Sequence, residues 1–287
     1  MIAKNHKVTI VTERYDDSLS EHEVFENIEI YRFSYPHKRF KGLSEIWKWL
    51  WKKRNLIKES DIIHCHDVFI WYLPFRFLFP LKKVFTTFHG WEGVYPIPLI
   101  NILHKKLANL FSRKTIAIGK YIEKYYGIRT NKILYGGTDE VKKPKDKQSL
   151  AGKAGKIKNY LVFLGRLEKD TGLPEFLEWL EKNKKYQVDF IGDGSLHEEC
   201  LKYGRILGFV DPSPFLERAK ICVPGGYLSY IEAVSLGCRV ITFASNELKD
   251  DYWAEIHSVY KNGKKIKKFP PWEAITNMYI KLWRKHV

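Results

Sequence analysis

The stretch that decides the fold is Tyr160 to Lys182, "YLVFLGRLEKDTGLPEFLEWLEK". Its opening, "YLVFL", is a short near-continuous apolar run, the pattern of a strand covered on both faces. Gly165 and a single arginine, Arg166, end that run, and a polar loop leads to Gly172. The following "LPEFLEWLEK" has helical periodicity with proline in its first turn, where the missing N–H costs nothing. Strand, glycine, loop and helix make one βα unit of a parallel sheet. Open α/β sheets bind ligands at the carboxyl ends of their strands. A planar guanidinium there can bond two phosphate oxygens at once, so Arg166 is a candidate phosphate ligand.

The same rhythm runs outward in both directions. Upstream, strand-like runs fall at 7–12 ("KVTIVT"), 28–33 ("IEIYRF"), 61–66 ("DIIHCH"), 83–89 ("KVFTTFH"), 114–119 ("KTIAIG") and 132–135 ("KILY"). Helix-length segments at 43–58, 68–80, 98–112 and 120–126 separate them. Downstream, runs at 160–165, 186–192, 205–210, 220–225 and 238–243 alternate with amphipathic stretches at 173–184, 195–202, 213–219 and 229–236. Between the halves lies Val141 to Asn159, "VKKPKDKQSLAGKAGKIKN", which is polar and aperiodic and reads as a connection. The expected architecture is α/β: two Rossmann-like domains facing across a cleft. The divisions are 1–140, a linker at 141–159, a second domain at 160–270, and a closing helix opened by prolines within 271–287.

Bulk properties agree with two cores. The chain has 287 residues, 45% of them hydrophobic and 29% charged, which fits two domains of ordinary size. Its 49 Lys and Arg against 33 Asp and Glu give a net charge of +16, a bias toward anionic partners. Four scattered cysteines without a C-x-x-C pair argue against a disulfide framework and for a reducing cytoplasm. No signal peptide precedes "KVTIVT". The apolar stretch 68–81 is too short, and too interrupted by Arg76 and two prolines, to span a bilayer. The abundance of Lys, Glu, Ile and Tyr points to a thermophilic source.

Several further positions can carry chemistry. "VPGGYLSYIEAVSLG" has Gly225 and Gly226 between a strand and a helix expected to start near Ser229. Bare amides and the positive end of a helix dipole there suit an anion. Glu232, expected in the first turn, either complements that dipole or accepts hydrogen bonds from a ribose diol. Gly192 and Gly194 in "FIGDGS" read as a plain strand-to-helix turn. His64 and His66 with Asp67 ("HCHD") share a strand face in a metal-compatible way, yet no third or fourth ligand is evident. They are read as cleft-lining residues, with no metal. His89, after "TTF" and before Gly90, is read as a cleft residue too. The basic, tryptophan-rich segment Lys38 to Lys58 is open to two readings. Leu43, Ile46, Trp47, Leu50, Arg54 and Ile57 share a core-facing stripe, whereas Trp49, Trp51 and the lysines suit a membrane interface.

These motifs, in this order, resemble the family-4 retaining glycosyltransferases of GT-B fold. The second half carries "LVFLGRLEKDTGLPEFLEWL", "FIGDGSLHEE", "LGFVD" and "YIEAVSLGCRVIT". The first half carries "HKVTIVT", "DIIHCHD", "TTFHG", "TIAIGKYIEKYYGI" and "KILYGGTDE". The resemblance implies transfer of a hexose from a nucleotide-diphosphate sugar to an acceptor hydroxyl with retention. No metal or cofactor is implied beyond that co-substrate. It assigns the diphosphate to Gly165 and Arg166 and the ribose to Glu232. It brings His89 to the donor sugar from the other domain, and sends the last helix back to the first domain. Two positions depart from the pattern. The family's phosphate lysine falls at Thr171, with Lys169 two residues early, and the first glutamate of its pair falls at Pro224. The family's first strand and glycine-rich loop have no counterpart, so "HKVTIVT" corresponds to the second strand. The implied partners are a nucleotide sugar and a glycan or lipid-linked acceptor, the latter at an anionic inner membrane face. A specific nucleic-acid role lacks any base-reading motif. The alternatives are a non-catalytic nucleotide- or glycan-binding member and an epimerase of the same fold.

Overall fold

A computed structural model describes residues 1–35, 39–137, 157–262, 265–266 and 270–284. Most of the expected connection, 141–156, lies outside the described residues, and its last three residues already open a strand.

The first half builds two sheets. Strands β1 (Val8–Glu13) and β3 (Ile28–Phe33) pair in parallel, and β2 (His22–Phe25) pairs antiparallel with β3. The turn between β2 and β3 holds Glu26 and Asn27 at φ 46° and 65°, the doubly left-handed geometry that matches strand twist in a tight hairpin. Four parallel strands form the other sheet in the order β4-β5-β6-β7: Ile62–His66, Lys83–Phe88, Lys114–Ala117 and Lys132–Ile133. Helices α1 (Arg39–Lys52), α2 (Arg54–Glu59), α3 (Phe69–Leu78), α4 (Leu99–Phe111) and α5 (Lys120–Tyr126) connect and cover them. The expectation of one parallel sheet buried on both faces is corrected here. Strand β2 folds back through its hairpin, and Phe33 is the only buried residue among the described positions of β1 and β3. The expected single helix over 43–58 is also broken at Lys53. Its stripe still faces inward at Ile46 and Ile57, and Trp49 packs on Phe33 with ring centroids 5.2 Å apart.

The second half is built on a five-stranded parallel sheet in the order β10-β9-β8-β11-β12, with a small antiparallel pair, Lys261–Asn262 and Lys265–Ile266, beyond it. Its strands are β8 (Ile157–Leu164), β9 (Gln187–Ile191), β10 (Gly204–Ile206), β11 (Ala219–Pro224) and β12 (Arg239–Val240). Residues Tyr160 to Leu164 are all buried, as a central strand covered on both faces requires. Helices α6 (Leu173–Lys182), α7 (His197–Leu201), α8 (Ser213–Arg218) and α9 (Tyr227–Ser235) follow the expected stretches. Helix α9 starts at Tyr227 rather than near Ser229, so Glu232 sits in its second turn. Helix α10 (Glu247–Tyr260) has no counterpart among the expected segments.

The halves share apolar surface. One core cluster joins Tyr121, Ile122 and Tyr126 of α5 to Tyr230 and Ile231 of α9 and to Leu248, Tyr252, Trp253 and Ile256 of α10. Glu255 of α10 accepts hydrogen bonds from the Lys120 and Tyr121 amides at 2.7 and 2.9 Å, capping α5. The closing helix α11 (Trp272–Arg284) packs on the first half, with Ile275 clustered against Ile116 and Leu134.

Candidate active site

Strands β8 and β11 are sheet neighbours, and their carboxyl ends meet backbone to backbone. Gly165 has φ 149°, and a Cβ on it would lie 3.0 Å from Gly225 Cα. Only glycine permits that approach. The side chain of Arg166 leaves from this junction and is 66% exposed, with Nη2 donating to Asp170 Oδ2 at 2.7 Å. A carboxylate therefore engages one arm of the guanidinium fork. Asp170 in turn lies against Gly93 of the first domain. Lys169 is exposed beside it, while Thr171 is buried and its hydroxyl donates to the Glu168 carbonyl at 2.7 Å. The Thr171 side chain thus closes its own turn. Gly192 and Gly194 also have packing reasons to lack Cβ atoms. Such atoms would meet the Gly165 and Leu167 carbonyl oxygens at 2.0 and 2.5 Å.

The glycine loop offers fewer free amides than its sequence suggests. The Gly225 amide donates to the Leu164 carbonyl at 2.9 Å, continuing the β8–β11 ladder. The Gly226 amide donates to Ser229 Oγ at 3.2 Å, and Ser229 Oγ donates to the Gly226 carbonyl at 2.9 Å. The expected anion cradle over Gly225–Ser229 is therefore corrected. Its open donors begin at Tyr227, in the first turn of α9, where a helix cannot satisfy its own amides. Tyr227 reaches into the first domain, where a Cβ on Gly136 would strike its ring at 2.4 Å.

Glu232 is half-buried, and among the described residues no donor reaches its carboxylate. Burial, followed by the charge of Asp211, raises its pKa. The structure also places one residue that sequence reasoning overlooked. Lys249, on α10, is buried and donates from Nζ to the Gly225 carbonyl at 3.2 Å. Burial pushes its pKa down to about 8, with Asp170 opposing that shift and Arg166 adding to it. A signal for its helix existed: Asn246 as N-cap, followed by Leu248, Tyr252, Trp253 and Ile256 at helical spacing.

The first-domain candidates cluster at the tips of β4 and β5. His66 Nδ1 and His89 Nε2 are 2.7 Å apart, and His64 stacks on His66. The His89 amide donates to Asp67 Oδ2 at 3.0 Å, while Asp67 Oδ1 pairs with the buried ammonium of Lys105 at 3.0 Å. That pair fixes the loop bearing His89. The indole of Trp283, from α11, donates to His64 Nδ1 at 3.2 Å. An indole N–H only donates, so the His64 proton resides on Nε2, facing Thr87 Oγ1 at 2.8 Å. Burial first, then the neighbouring imidazoles, lowers His64 to about 3. His66 is open on one side, yet the protein packed around it lowers it to about 4. His89 is lowered first by burial as well. All three imidazoles are neutral at pH 7. Among the described residues no set of three His, Cys, Asp or Glu side chains is placed to grip a metal ion.

Arg166 thus ends β8, Glu232 lies on the helix that follows the neighbouring β11, and the three imidazoles belong to the first domain. Residues 1–133 match the family model Glycosyltransferase Family 4. That match covers less than half of the chain. Solved structures extend the likeness over both domains at the level of fold. The catalytic domain of Starch Synthase IV from Arabidopsis thaliana, bound to ADP and acarbose, is 13% identical with a TM-score of 0.56, covering 93% of this chain and 80% of that one. A UDP-N-acetylglucosamine 2-epimerase from Rickettsia bellii is 12% identical with a TM-score of 0.54, covering 97% and 96%. A TarM variant from S. aureus, in complex with UDP, is 15% identical with a TM-score of 0.51. It is matched over 76% of this chain, which spans only 52% of TarM. No curated protein matches the sequence. The family-model match over residues 1–133 and the fold likeness over both halves agree with the resemblance read from the sequence motifs.

Proposed function

We propose that this chain is a family-4 glycosyltransferase that transfers a hexose from a nucleotide-diphosphate sugar to an acceptor hydroxyl with retention of configuration. The observation that carries the reading is the placement of Arg166 at the end of β8 and of Glu232 on the helix that follows the adjacent β11, one an exposed cation and the other a half-buried carboxylate without a donor among the described residues. Glu232 accepts hydrogen bonds from the ribose diol. Arg166 releases Asp170 and takes the diphosphate, together with the amides that open α9. As the glycosidic bond breaks, negative charge grows on the phosphate, and each preorganised donor there is worth about 2–4 kcal/mol. No protein nucleophile is required when the acceptor hydroxyl attacks from the leaving-group face. Neutral His89, held by Asp67 and His66, orients a sugar hydroxyl without adding charge. The test is a thermal-shift screen of nucleotide sugars followed by transfer assays, with the product anomer read by NMR. Product of inverted configuration, or no nucleotide sugar bound, overturns the reading.

The acceptor side carries a lipid-compatible surface. Trp47, Trp51, Pro74, Phe75, Phe77 and Leu78 of α1 and α3 line an apolar pocket of about 460 Å³. Lys48, Lys52 and Lys53 stand exposed beside it, a composition that favours an anionic interface. Among the described residues no helix is long and apolar enough to cross a membrane. A lipid-linked acceptor reached from the membrane surface fits these features. One observation favours a second reading. Pro224, where the resemblance expects a glutamate, offers no carboxylate to a donor sugar, as in a binding protein without turnover. Nucleotide-sugar binding without transfer or hydrolysis would select it.

A further inference from the structure

The loop after β8 lacks the lysine that its resemblance calls for, since Thr171 stands there with its hydroxyl turned into its own turn. A lysine nevertheless reaches the same backbone from elsewhere. A Cβ on Gly225 would lie 3.4 Å from Thr171 Cβ, and the carbonyl of that same Gly225 accepts from Lys249 Nζ at 3.2 Å. Lys249 is only 5% exposed, with its ammonium over the Tyr252 and Trp253 rings at 4.7 and 5.0 Å. An ammonium has three protons to donate, and among the described residues the Gly225 carbonyl is the single acceptor it meets. No carboxylate among them lies within ion-pair distance.

The contrast with Lys105 is direct. That lysine is equally buried, at 3% exposure, but has Asp67 at 3.0 Å and Glu92 at 3.5 Å. A buried cation without a counter-ion is costly, and the cost is offset once an anion arrives. From Gly225, the Arg166 junction is one close backbone contact away. We infer that Lys249 is a second cationic ligand of the donor diphosphate, supplied by α10 in place of the position occupied by Thr171. This rests on the donor-site reading of Arg166 and Glu232. The groups facing Lys249 are Arg166, Asp170 and Glu175, besides its two aromatic neighbours. None of them is close enough to serve as its counter-ion.

The test is calorimetric titration of wild type, Lys249→Met and Arg166→Ala with UDP, ADP, GDP and inorganic pyrophosphate, using the matching nucleosides as controls. Lys249→Met should bind the preferred diphosphate about tenfold or more weakly, the effect of losing a charged hydrogen bond, and the nucleoside unchanged. Methionine keeps the shape of the stem, so the ligand-free variant should melt no lower than wild type. Wild type offers a check that needs no substitution. Near pH 8, where burial holds the free lysine partly deprotonated, diphosphate binding should take up protons, measured by titration in buffers of different ionisation enthalpy. If Lys249→Met binds the diphosphate like wild type while Arg166→Ala does not, the inference fails and the donor site stands. If wild type binds none of the diphosphates nor pyrophosphate, the donor-site reading fails, and this inference with it.

Discussion

At the scale of single residues, the proposed function gives Arg166 and Glu232 different parts of one ligand, so they should fail differently. Arg166→Ala should lower nucleoside-diphosphate affinity by about 2 kcal/mol and reduce turnover as well, because phosphate charge grows in the transition state. Glu232→Gln should weaken nucleoside and diphosphate alike by about 1 kcal/mol, with little effect on turnover, since ribose contacts persist through the reaction. Titrating nucleoside and diphosphate against both variants checks this, and equal diphosphate binding by Arg166→Ala would reduce Arg166 to the ion pair it makes with Asp170. Lys249 adds a pH signature. Its pKa is about 8 in the folded chain and about 10.4 when unfolded, so between those values the unfolded state binds more protons. Stability of the ligand-free protein should therefore rise across that window, and diphosphate affinity should fall. Denaturation at stepped pH, compared with Lys249→Met, isolates the effect, and identical pH profiles would contradict it.

At the scale of elements, α10 does the most joining. It carries Lys249 at its amino end and Glu255 two turns on, where that carboxylate caps the first amides of α5 across the domain boundary. Removing a cap costs about 1–2 kcal/mol. Glu255→Ala should lower unfolding free energy by about that amount, while Glu255→Gln, which keeps an acceptor oxygen, should lose less. Urea titration distinguishes the two. Helix α10 has a legible stripe in Leu248, Tyr252, Trp253 and Ile256, but it follows a very short β12 that gives little βα rhythm to place it. Strand β2 was missed for another reason. Its turn is Glu26-Asn27, without the glycine that usually marks a tight hairpin.

At the scale of the whole molecule, the shared cluster of α5, α9 and α10 makes the two halves one cooperative unit. A single calorimetric transition is expected, with the calorimetric enthalpy equal to the van't Hoff value. Two resolved transitions would show that the interface is weaker than its packing. On the proposed membrane-surface reading, the net charge of +16 acts where lysines flank the Trp47–Leu78 pocket. Wild type should co-sediment with anionic liposomes in a salt-sensitive way. Replacing Lys52, Lys53 and Arg54 by Glu should weaken this, whereas equal sedimentation would leave that face without a membrane role.

The sequence by itself determined the βα rhythm, the parallel second sheet, the strand tips that bear Arg166 and Gly225, and the helix that bears Glu232. Those features rest on local periodicity and turn chemistry, which are written in consecutive residues. It also indicated His64, His66 and His89 as cleft residues, because they lie at strand ends, while the pairing of β4 with β5 that makes them neighbours came from the structure. Only the tertiary structure decided which amides of the glycine loop are open, since β8–β11 pairing engages Gly225 from a partner far along the chain. It alone showed the split of the first domain into two sheets and the Trp283 bond that sets the His64 tautomer. Lys249 belongs to the same class. Its meaning comes from a contact 24 residues away, and no local pattern records that a lysine buried without a counter-ion lies beside the turn of Thr171.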